Sequence, residues 1–178
     1  MDPIERTAQY EKFINHRYLD SKGIPTIGYG HKILPGENMR TIDEKTAREL
    51  LAREWGEKVN EFYKRVPEAH NYPQGFQEAL WDMAYNMGPD FMRKFPDAKA
   101  YLDQGKYTQA AFEFGSGSKP GTKSKYLKET KNRAVENIRK MLDAAAQGQP
   151  TGKWVKKPDG TYQLTLEKRV GLGGFNAK

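Results

Sequence analysis

Residues 17 to 34 limit the fold more than any other segment. In RYLDSKGIPTIGYGHKIL a run rich in Tyr, Ile and Thr is interrupted every few positions by Asp20, Gly23, Pro25, Gly28 and Gly30. A helix does not tolerate such punctuation, whereas short strands joined by tight turns require it. No other stretch of the first 150 residues has this character. One small sheet is therefore available, and the rest of the core must come from helices, so the expected fold class is α+β and mostly helical.

The helices announce themselves by caps and by apolar spacing. Asp2 as N-cap and Pro3 at the first helical position predict a helix over 3 to 14, with Ile4, Ala8 and Phe13 on one side. Thr41 and Glu44 have capping-box spacing, and Ala47, Leu50, Leu51, Trp55, Val59 and Phe62 then recur along a long helix over about 42 to 63. Pro73 opens a helix whose Phe76, Leu80, Met83, Ala84 and Met87 form a broad apolar face ending at Gly88. Shorter helices are expected at 96 to 104 and 107 to 114, parted by Gly105, followed by GSGSKPGTKSK (115 to 125), a basic loop expected to be mobile. A last helix is expected over 128 to 146, with Ala134, Ile138, Met141, Leu142 and Ala145 inward, before Gly148 and Pro150 break it. Beyond it, Trp154 to Lys157, the turn Pro158-Asp159-Gly160 and the alternation of Tyr162, Leu164 and Leu166 read as an appended hairpin. Its apolar side chains favour packing against the body of the domain.

Composition excludes several function classes. No run approaches the roughly 20 apolar residues a bilayer crossing needs, so no membrane span is expected. Asp2, Glu5 and Arg6 lie where a secretory signal would need an apolar core. The absence of cysteine rules out disulfides, thiolate zinc sites and cysteine nucleophiles. Only 3 His are present, without ligand spacing, so no metal is expected, and His31 reads as a structural hydrogen-bonding residue. The formal charge of +7 attracts polyanions, whether nucleic acid, acidic lipid or bacterial wall polymer, and does not choose among them. The basic loop at 115 to 125 and the Lys-rich tail carry no nucleic-acid-binding motif, so no nucleic acid is expected as partner.

Chemistry is concentrated near the N-terminus. Glu11 closes the first helix, and Asp20 and Thr26 lie in the Gly-rich hairpin, which brings two carboxylates and a hydroxyl towards one another. Acetal hydrolysis needs one carboxyl protonated for the leaving oxygen and another ionised to activate water or stabilise positive charge. The same residues also suit a helix end and an Asx-turn.

The string from Tyr18 to His31, YLDSKGIPTIGYGH, resembles the hairpin of phage-type lysozymes, the T4-lysozyme-like muramidase family. In that family a Glu ending the first helix precedes an Asp by nine positions and a Thr by fifteen, as Glu11, Asp20 and Thr26 do here. Ala84 to Gly88 (AYNMG), Ala110-Ala111-Phe112 and Thr130 to Ala134 (TKNRA) extend the resemblance over about residues 3 to 146. It departs in three places. Lys12 stands where the family usually has Gly, the stretch between His31 and Thr41 is short, and the hairpin at 151 to 178 has no counterpart.

The resemblance implies a two-lobed fold, with a small lobe on the hairpin, the long helix as connector, a helical C-terminal lobe and a catalytic cleft between the lobes. On this reading residues 1–147 form the muramidase domain and 148–178 an extension, a β-hairpin packed on it. It implies Glu11 as general acid, Asp20 as the group that positions or deprotonates the attacking water, and Thr26 as its second holder. Inversion follows if the carboxyls stand roughly 6.5 to 9.5 Å apart. Lys32, Tyr85, Asn86 and Glu113 match substrate-binding positions, and Arg133 matches the residue that orients the catalytic Glu. The implied reaction is hydrolysis of the β-1,4 bond between N-acetylmuramic acid and N-acetylglucosamine in peptidoglycan, by a monomer without cofactor, as a phage endolysin or antibacterial effector. A lytic transglycosylase of the same fold and a non-catalytic wall-binding or interaction protein are the alternatives. Such a protein would be made in the bacterial cytoplasm and reach the periplasm or wall through a holin, a tail or a secretion device, with a carrier or immunity protein as a further partner.

Overall fold

The computed structural model describes residues 2–119, 121–147, 152–156 and 162–166, the last two segments by their backbone. Seven α-helices among these residues accompany a three-stranded antiparallel sheet whose strands lie in chain order. The chain divides into two compact units, one of residues 1–65 and 81–91, the other of 66–80 and 92–178.

The first unit opens with α1 (Pro3–Glu11). Asp2 caps it by accepting from the amides of Ile4 and Glu5, a contact worth about 1 kcal/mol in typical helices. The helix stops at Glu11 rather than at 14, because Lys12 takes φ 55°, and Ile14 already belongs to the sheet. Strands β1 (Ile14–Leu19), β2 (Pro25–Gly28) and β3 (His31–Lys32) occupy the Gly-punctuated segment as expected. The register sets Tyr18 opposite Thr26 and Thr26 opposite Lys32, with an irregularity in β1 between Ile14 and Tyr18. Helix α2 (Glu44–Arg65) follows. Its cap is Asp43, whose carboxylate accepts from the amide and hydroxyl of Thr46. The expected Thr41–Glu44 box does not form, since Thr41 bridges to His16 at the sheet margin and Glu44 accepts from the Tyr29 hydroxyl.

Ile27, Tyr29, Ile42, Ala47, Leu51 and Tyr85 form one buried cluster with Ala8. Phe62 stacks on Phe91, and the half-buried Trp55 meets the half-buried Trp81 edge-on at 5.7 Å. Helix α3 (Gln74–Met87) carries Trp81–Met87 into this unit and ends at Gly88, whose φ of 91° suits a C-cap glycine.

The second unit packs α4 (Pro96–Asp103), α5 (Tyr107–Gly115), α6 (Lys125–Thr130) and α7 (Asn132–Ala146) with residues 74–80 of α3. Phe95 contacts Phe114 and Tyr126, and the buried Asn137 amide donates to the Tyr126 hydroxyl. The single helix expected over 128 to 146 is two helices broken at Lys131, with φ 42°. Ala134 and Met141 face inward as expected, joined by Asn137 and Ala144, while Ile138, Leu142 and Ala145 are half-buried. The loop after α5 is more tightly tied than its Gly and Ser content suggests. Ser116 bridges Lys123, the Gly117 amide donates to Thr122, and Ser124 donates to the Phe114 carbonyl and caps α6. Strands β4 (Gly152–Lys156) and β5 (Tyr162–Leu166) pair antiparallel with Trp154 opposite Leu164, which is the appended hairpin. Its turn and residues 167–178 lie outside the described residues.

Candidate active site

In the first unit α1 is held from two sides. Arg6 pairs with the buried carboxylate of Asp82 on α3 at 3.5 Å, and the Thr7 hydroxyl donates to it. Near its start, Glu5 pairs with Arg48 of α2 at 2.5 Å. These contacts fix where the last residue of the helix, Glu11, emerges. The position a Cβ would take on Gly30 is 3.4 Å from Glu11 Oε2, so the carboxylate lies against the turn joining β2 and β3. Gly30 has φ +86°, which few side-chain-bearing residues adopt, and an added Cβ would lie in van der Waals contact with the carboxylate.

Asp20 and Thr26 come together on the sheet. Asp20 follows β1, and its Oδ1 accepts from the amides of Lys22 and Ile24 at 2.8 Å each, an Asx-turn that holds the tip of the hairpin. Its Oδ2 accepts from Lys32 Nζ at 2.5 Å. The Lys32 ammonium, followed by the Ile24 and Lys22 amides, holds the Asp20 carboxyl down at about 2 from the usual 3.8. Asp20 is thus an acceptor throughout the neutral range. Thr26 is fully buried, donates its hydroxyl proton to the Ile24 carbonyl at 2.9 Å and accepts from Lys32 Nζ at 3.1 Å.

The other expected residues fall elsewhere. Tyr85 is buried, with the Lys58 ammonium 4.3 Å above its ring and bonded to its carbonyl, while Asn86 beside it is exposed. Glu113, on α5, is half-buried, and Arg133, in the first turn of α7, is buried; both belong to the second unit. His31 is structural: its two ring nitrogens meet Glu54 at 2.5 Å and Glu37 at 2.9 Å. Burial disfavours its cation, but the hydrogen bonds to Glu54 and Glu37 outweigh this and raise its pKa above 6.5. Among the described residues no group of three His, Asp or Glu could hold a metal ion, and no helix is long and apolar enough to cross a membrane.

Sequence reasoning missed two features. The anchoring of α1 by Asp82 leaves no signal, since Arg6 and Asp82 are far apart in the chain. The link from Lys32 to Asp20 and Thr26 could have been found, because a hairpin register placing Thr26 opposite Lys32 puts their side chains on one face.

A family model described as Phage lysozyme matches residues 8–136, a span that holds Glu11, Asp20, Thr26, Lys32, Tyr85, Asn86, Glu113 and Arg133. No curated protein matches the chain. The family match covers well over half of the 178 residues, and with it the whole acid–hydroxyl arrangement on α1 and the sheet. The chain belongs to the phage lysozyme family, whose members are glycosidases of the lysozyme type that lyse peptidoglycan.

Proposed function

We propose that the chain is an N-acetylmuramidase, hydrolysing the β-1,4 bond between N-acetylmuramic acid and N-acetylglucosamine. The observation that carries this reading is the setting of Asp20 beside Thr26. Asp20 is pinned as an anion by two amides and an ammonium, with the Thr26 hydroxyl oxygen within reach of the same ammonium. Glu11 sits at the end of α1 against the glycine turn of the same unit. Glu11 then gives its proton to the leaving oxygen. Asp20 takes a proton from water held between it and Thr26, and that water attacks the anomeric carbon from the opposite face. The charge of +7 favours approach to an anionic wall.

The direct test is Glu11→Gln on purified sacculi, followed by turbidity, with circular dichroism to monitor the fold. Loss of about 10²-fold or more in rate with an unchanged spectrum is expected of a general acid. Near wild-type lysis refutes the assignment. A lytic transglycosylase is the second reading, favoured by one observation: it needs no water, and Lys32 sits at the oxygens that would hold one. Delivery as an endolysin or as a secreted effector with an immunity partner belongs to the same proposal and is tested by genome neighbourhood.

A further inference from the structure

Two side chains, Asp20 after β1 and Thr26 on β2, share the Lys32 ammonium. Lys32 Nζ contacts both Asp20 Oδ2 and Thr26 Oγ1, at 2.5 and 3.1 Å. The rest of their bonding capacity is committed: Asp20 Oδ1 serves two amides, and the Thr26 proton goes to Ile24 O. What remains for gripping a water is Asp20 Oδ2 and the acceptor side of Thr26 Oγ1. The ammonium engages both. Thr26 is fully buried, so approach to the two oxygens at once is narrow, and a water bonded to both competes with Nζ for that place. Lys32 itself is free to leave, because 48 % of its side chain is exposed and its four-carbon stem is flexible.

We propose that Lys32 is a gate: its ammonium occupies the attacking water's place in the resting enzyme and is drawn off by a carboxylate of the incoming wall polymer. The proposal rests on the reading of Asp20 and Thr26 as the water-holding pair. Its chemistry names the substrate class. A glycan bearing peptide carboxylates competes with Asp20 for the ammonium and opens the site, whereas a neutral N-acetylglucosamine oligomer offers nothing to exchange. Lys32 is thus a positioning residue that confers preference for anionic glycan through access of water to Asp20.

Lys32→Met keeps the stem and removes the charge. Rates are measured for wild type and variant on a neutral N-acetylglucosamine oligomer and on soluble muramic-acid-containing wall fragments. The gate predicts that Lys32→Met raises kcat on the neutral oligomer by about fivefold, the restraint expected of a half-exposed pair. The preference for anionic fragments falls by the same factor and their KM rises, while Lys32→Arg retains both block and preference. An unchanged or slower neutral reaction with the preference intact overturns the gate. Inactivity of wild type and Lys32→Met alike on both substrates overturns the gate and the reading beneath it. Asp20→Asn separates the two failures: full activity in it refutes the water-holding pair, whereas an inactive Asp20→Asn with an unaccelerated Lys32→Met refutes the gate alone.

Discussion

Lys12 offers a stability experiment worked directly from backbone geometry. It ends α1 with φ 55° and ψ 138°, a conformation in which a Cβ crowds the chain, and its amide donates to the Ala8 carbonyl at 3.2 Å. A side-chain-bearing residue held there costs on the order of 1–3 kcal/mol. Glycine removes that strain and keeps the amide bond. It also enlarges the freedom of the unfolded chain, which returns roughly 0.4–1 kcal/mol. The net expectation for Lys12→Gly is stabilisation by about 1 kcal/mol, raising Tm by about 2–4 °C in a chain of this size. Thermal unfolding followed by circular dichroism is the assay, with Lys12→Ala as its control. Alanine deletes the exposed stem and charge but keeps the strained Cβ, so its Tm should stay near wild type. A lower Tm for Lys12→Gly, or an equal gain for Lys12→Ala, refutes the argument, since the effect would then lie in the side chain.

Four further outcomes follow from the same geometry. Gly75→Ala should destabilise by about 1–3 kcal/mol, read by urea unfolding, because the new methyl would lie 2.6 Å from Ala144 Cβ and 3.1 Å from the Lys140 carbonyl. His31 has its folded pKa raised above 6.5 by Glu54 and Glu37 against the effect of burial, so its stabilisation is complete below pH 6.5 and is lost as pH rises through the folded value. Tm should therefore fall from pH 6.5 upwards in wild type, and that slope should vanish in His31→Asn. Asp20, held at about 2, should contribute no acid limb to kcat/KM above pH 4, and Lys32→Met should bring its titration, followed by carboxyl NMR, back towards 3.8. Truncation after residue 147 should lower Tm if the hairpin buries apolar surface on the domain, at about 25 cal/mol per Å², and leave hydrolysis of soluble fragments unchanged.

The sheet was legible because Gly28 and Gly30 sit at φ 66° and 86°, where their residue type is itself the signal. The helix breaks at Lys12 and Lys131 were not, because each bears a side chain in a backbone region normally reserved for glycine, so residue type gives no signal there. The cap of α2 was misplaced by two residues for a related reason. Thr41 and Glu44 have the right spacing, but both are claimed by the sheet side, one by His16 and the other by Tyr29, leaving Asp43 to cap. Of the candidate site, Glu11, Asp20 and Thr26 were readable from spacing and resemblance. Lys32 was readable only as a candidate substrate-binding residue, since its bond to Asp20 depends on strand register and on how far an ammonium reaches across it.

Mass analysis of muropeptides released from purified sacculi tests the central claim most directly, because it reports activity, bond and chemistry in one measurement. Hydrolysis with water drawn in by Asp20 and Thr26 predicts products ending in reducing N-acetylmuramic acid, absent when Glu11→Gln replaces the wild type. Products ending in 1,6-anhydromuramic acid, or no products from a folded wild type, would contradict it.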